Sequence, residues 1–141
     1  MADFPAPQSA PGTSTAPVSS ALLAYLLFGL AALVALLAHG IPFFAPLVGV
    51  LGIVALVVCY VKRSDAAGTW VASHFTWLIG MFWWSLLWSI VGGIILFTLG
   101  FILIGIPIAI AIFLATDIWV IYRLVKGYLN FKESKPVGPA V

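Results

Sequence analysis

Apolar residues fill two long blocks of this chain, from Ala21 to Val61 and from Phe75 to about Val125, with little polar interruption. A helix rises about 1.5 Å per residue and needs about 20 residues to cross a hydrocarbon core about 30 Å thick, so each block is roughly twice too long for one crossing and has to fold back once. In the first block, HGIPFFAP at residues 39–46 brings Gly40, Pro42 and Pro46 together where a continuing helix is disfavoured. That predicts helix 1 over residues 21–38 and helix 2 over 46–61. In the second block a break at Gly92 and Gly93 would leave one crossing short and the next overlong. The stretch TLGFILIGIP at 98–107 instead places Pro107 in the first turn of a new helix, where its missing N–H costs least. Helix 3 is therefore predicted over 76–97 and helix 4 over 106–125.

The flanks differ from the blocks. Residues 1–20, rich in Pro, Ser, Ala and Thr with Asp3 as their single charge, show no helical or strand period and are predicted as a disordered tail. They lack the cationic region that precedes the apolar core of a cleaved signal peptide, so helix 1 is expected to remain as a membrane anchor. Residues 21–130 make one transmembrane domain, and residues 131–141 are expected to form a flexible C-terminal tail.

Between the blocks lies YVKRSDAAGTWVASHF, residues 60–75. Ser64 or Asp65 has the chemistry to cap a short helix. Trp70, His74 and Trp77 then fall at i, i+4 and i+7, on one face suited to the headgroup region. Tyr60, Tyr122 and Tyr128 extend the interfacial belt, because their rings are apolar while their hydroxyls need polar partners. The expected fold is an all-α integral membrane protein with four transmembrane helices and a short interfacial helix before the third.

Composition sharpens this reading. The 141 residues are 64% hydrophobic and 7% charged, against about 45–50% apolar and about 25% charged in soluble domains. The mean hydropathy is +1.22. The net charge of +2 comes from six cations in three places, too few for a nucleic-acid footprint. Four crossings put Lys62, Arg63, Arg123, Lys126, Lys132 and Lys135 on one side, with both termini. Lys62, Arg63, Arg123 and Lys126 are the nearest to helix ends, and the positive-inside rule makes their side cytoplasmic. The single cysteine, Cys59, is read as a small buried hydrophobe.

Few residues carry candidate chemistry. Asp117 lies ten residues into helix 4 from Pro107 and about 9 Å below the cationic level, where an ionised carboxylate is costly and often serves proton or ion movement. Trp83, Trp84 and Ser85 at the same depth are expected donors to it. His74 is a candidate interfacial or proton-accepting residue; no Cys, Asp or Glu stands at metal-like spacing around it, and His39 is expected on the opposite face, ending helix 1. Ser85, Ser89 and Gly93 repeat every four residues beside the bulky Trp84 and Trp88, a stripe that lets another helix approach. Ala111 and Ala115 form a weaker stripe expected to pair with it. No nucleophile with its base, phosphate-binding glycine loop, paired carboxylate or metal cluster is present, so neither catalysis nor a cofactor is expected.

The order of a basic turn, an aromatic third helix TWLIGMFWWSLLW, then LIGIPIAI and a closing WVIYRLVKGYLNF resembles small uncharacterised bacterial inner-membrane proteins. These are similar to the chloroplast Tic-twenty import-component family. The resemblance covers residues 21–130 and implies four helices, cytoplasmic termini and a recurring histidine at the place of His74. Two functions follow as expectations. One is a non-enzymatic component that binds partner helices, its own copies or other membrane proteins, in contact with membrane lipid. The other is a small proton- or solute-linked transporter or channel using Asp117.

Overall fold

The computed structural model describes residues 15–39 and 41–138. Over them the chain is helical: α1 Thr15–Leu37, α2 Ala45–Lys62, α3 Val71–Leu99 and α4 Gly105–Lys132, with 3-10 turns at Pro42–Phe44 and Gly100–Ile102. All four helices are long and apolar enough to cross a membrane. The breaks follow from backbone chemistry. Pro46 sits in the first turn of α2, and Pro107 in the first turn of α4, where the leading amides have no intrahelical acceptor to lose. Gly40, a predicted breaker, lies outside the described residues, as does segment 1–14 of the predicted tail.

The turn between α3 and α4 is tight. Leu103 takes φ +62° to reverse the chain. A Cβ on Gly105 would run into the carbonyl carbon of Leu99 and come within 2.6 Å of the Gly100 nitrogen, so only a bare backbone fits.

Several boundaries differ from the sequence-based expectation. α1 starts at Thr15, not residue 21, because Val18 and Ala21 find packing partners and Ala21 is fully buried. α3 starts at Val71, not residue 76, and no separate interfacial helix precedes it: residues 63–69 form turns closed by Ala67 N–H to Ser64 O (3.2 Å) and Thr69 N–H to Ala66 O (3.0 Å). Asp65 caps nothing; it faces Lys62 at 3.4 Å. α4 continues to Lys132, past the predicted end at 125, so Arg123 and Lys126 lie inside its last turns.

The core gathers where α1 and α3 begin and α4 ends. Ala21, Ala24, Tyr25 and Phe28 of α1 meet Val71, Phe75, Leu78 and Met81 of α3, Ala55 and Cys59 of α2, and Leu124 and Phe131 of α4. The alanines let backbones approach, as close helix packing in an apolar environment requires. From Trp83 to Ile104, by contrast, Gly92 is the single buried residue. Gly105→Ala is expected to cost about 1–3 kcal/mol by overpacking the turn. Gly93→Ala, whose Cβ meets nothing within 4 Å, should be neutral or stabilising by up to about 1 kcal/mol. Unfolding of the purified protein followed by circular dichroism separates the two.

Candidate functional site

Two polar centres lie inside this apolar bundle. The first is His74, in the first turn of α3 and fully buried. Its Nε2 donates to the Lys135 carbonyl at 2.8 Å. A carbonyl only accepts, so the proton is on Nε2 and Nδ1 is left to accept from the Tyr25 hydroxyl, also at 2.8 Å. One imidazole thus joins α1, α3 and the chain beyond α4. Trp70 and Phe131 enclose it edge-on, with ring centroids 5.5 and 5.3 Å away.

The residues after α4 fold back over this centre. Ser134 takes φ +53°, and the Lys135 amide donates to the Asn130 carbonyl at 2.9 Å. The Val137 amide donates to Ser73 Oγ at 3.0 Å, and the Val137 side chain is buried. Lys135 pairs with Glu133 at 2.6 Å, and that hydrogen bond holds the Glu133 carboxyl below its usual range. The Glu133 carboxylate therefore stays ionised at neutral pH and is protonated as pH falls through the lowered value. Residues 133–138 form an ordered strap; of the tail predicted as flexible, 139–141 lie outside the described residues.

Beside His74, Trp77 and Arg123 are joined twice. Trp77 Nε1 donates to the Arg123 carbonyl at 3.1 Å, and the Arg123 guanidinium carbon stands 3.6 Å from the Trp77 ring centroid and 5.0 Å from that of Trp119. Arg123 is buried, which a cation tolerates when aromatic faces replace part of its hydration. Gly127 makes room for this: a Cβ there would collide with the Tyr25 hydroxyl and lie 3.0 Å from Trp77 Nε1.

The second centre joins α4 to the residues just past α1. His39 Nδ1 lies 3.0 Å from Asp117 Oδ2 and 3.2 Å from the Ala35 carbonyl. The Nδ1–H points at that carbonyl, and neither Asp117 Oδ2 nor His39 Nε2 has a directed hydrogen bond. Both side chains are largely shielded, at 20% and 17% exposure. This corrects the sequence reading, which put His39 at one face and Asp117 near the other. The reason is register: Tyr25 of α1 packs on Tyr128 and Phe131 near the end of α4, so the chain just past α1 reaches Phe113 and Asp117 in the middle of α4. The expected donors to Asp117 point elsewhere. Trp83 Nε1 donates to the Tyr60 hydroxyl at 3.1 Å, and Ser85 donates to the Phe82 carbonyl at 2.8 Å.

On the outer half of α3, Ser85 is half-buried, Ser89 exposed, and Gly93 open on its Cβ side. Gly92 makes the close approach to α4, where an added Cβ would come within 3.0 Å of the Phe113 ring, while Ala111 and Ala115 stay exposed. Among the described residues, no three of His, Cys, Asp or Glu come together as a metal site would need. Tyr25, Ser73 and the Lys135 carbonyl were not legible as site members; the one available signal was Tyr25, the single tyrosine of the first apolar helix. Comparison with protein-family models, with curated proteins and with solved structures gives no match to this chain.

Removing the Tyr25 hydroxyl leaves a buried imidazole nitrogen without its donor, so Tyr25→Phe is expected to cost about 1–3 kcal/mol. A double-mutant cycle with His74→Ala should return a coupling of about 0.5–3 kcal/mol, measured by reversible unfolding in detergent; additive losses contradict the assignment.

Proposed function

We propose that this chain is a non-enzymatic multi-pass membrane protein that binds other membrane helices as an assembly component of a bacterial inner membrane, related to the Tic-twenty-like proteins. The observation that carries this reading is the outer half of the α3–α4 hairpin. From the level of Asp117 back to Gly105, α4 continues for 12 residues, about 18 Å of helix. Over that length α3 and α4 cover only each other's seam. Trp88, Phe97 and Phe101 are exposed, and the Ser89–Gly93 edge of α3 is open to a helix approaching at small-residue distance. Exposed leucines along α1 and α2, such as Leu30, Leu33 and Leu47, support a hydrocarbon solvent. The six cations lie between α2 and α3, on the last turns of α4 and on the strap, all toward the His74 end, which supports cytoplasmic termini. A Ser89→Cys, Cys59→Ala protein is expected to crosslink in native membranes to a second copy or another membrane protein. The Ile53→Cys counterpart, on exposed α2, should not. Recovery of monomer alone from both removes the reading.

A second reading, proton- or solute-linked transport through Asp117, is supported by His39. An acid and an imidazole at 3.0 Å, with Asp117 Oδ2 and His39 Nε2 both lacking a hydrogen-bond partner, make a place where a proton or small polar solute is held. Asp117→Asn is then expected to abolish proton flux in proteoliposomes; flux equal to that of the unaltered protein argues against it.

A further inference from the structure

A groove of about 420 Å³ opens at the cation-rich end of the bundle, between the start of α1 and the end of α4. We infer that it binds the headgroup of an anionic phospholipid. Its walls carry two chemistries. Val18 and Leu22 of α1 form an aliphatic side, continued along the same helix by the exposed Leu26 and Leu30. The facing side is aromatic and polar: Trp70 before α3, Tyr128 of α4, and Lys132 and Ser134 at the rim. An acyl chain suits the first side and a phosphate the second.

Charge accounting selects an anion. Every carboxylate among the described residues already has a basic partner: Asp65 faces Lys62, Asp117 faces His39, and Glu133 faces Lys135. Lys132, the charged residue in the groove lining, faces none of them. An ammonium is a compact phosphate partner, and basic pockets between helices at a membrane surface take anionic headgroups. The Tyr128 hydroxyl, on a residue 44% exposed, and the Ser134 hydroxyl add uncharged donors for phosphate or ester oxygens. The aliphatic wall favours a lipid over a free anion, which would leave that wall unused. The volume matches a headgroup with its first methylenes; the chains would lie outside against α1.

The experiment is native mass spectrometry of the full chain in detergent, equilibrated with equal amounts of phosphatidylglycerol and phosphatidylcholine. The unaltered protein is expected to retain the anionic lipid about fivefold over the zwitterionic one, the effect of one cation near the headgroup. Lys132→Gln should bring the ratio to about one, with Lys132→Arg and the control Lys62→Gln keeping it. Leu22→Trp, which fills the groove, should lower retention of both lipids. Equal retention by the unaltered protein, or undiminished preference in Lys132→Gln, overturns the proposal. Displacement of the lipid by glycerol 3-phosphate at millimolar concentration assigns the site to a free anion and overturns it too. So does preference that appears only after residues 1–14 are removed, which would assign the groove to that segment.

Discussion

The hydrogen bonds at His74 fix the register on which the rest of this bundle depends. In a chain this apolar, sliding one helix along another exchanges one aliphatic contact for a similar one. A buried imidazole is different, because its two nitrogens each need a partner of the right polarity at hydrogen-bond distance. Tyr25 supplies the donor and the Lys135 carbonyl the acceptor, both at 2.8 Å. One residue thereby sets the depth of α1 against α3 and holds the strap after α4 in place.

Neighbouring contacts reinforce the same register. Trp77 is tied to Arg123 through its N–H and through its ring face, and Gly127 removes the side chain that would keep Tyr25 and Trp77 apart. Arg123 is thus a stacked side chain that locks α3 to α4. The same arrangement leaves the opposite half of the molecule loosely specified. There α3 and α4 meet through Gly92 and Phe113, and their outward faces present exposed aliphatic and indole surface.

The two polar centres divide the molecule by chemistry. His74 has both nitrogens satisfied and is enclosed by rings, a structural device. His39 and Asp117 approach to 3.0 Å while each keeps an atom without a directed hydrogen bond. The cation-rich end, with Lys132 beside an aromatic groove, is where the molecule meets the phosphate layer in the proposed orientation.

Much of the fold was legible in the residues themselves. The length of the two apolar blocks, interrupted by Pro46 and Pro107, dictates four helices, because a helix has a fixed rise and proline has no amide hydrogen to give its interior. The clustering of the six cations at one end follows from that count. The helix ends did not follow: α1 begins at Thr15 and α4 runs to Lys132 where Val18 and Phe131 join the core, and α3 is continuous from Val71, with Val71 and Phe75 buried; local composition carries no record of those partners. Only the tertiary structure decided that His74 would be a buried bridge instead of an interfacial side chain, and that His39 would meet Asp117. Both depend on how far one helix extends beside another, a distance set by long-range packing and absent from any short window of sequence.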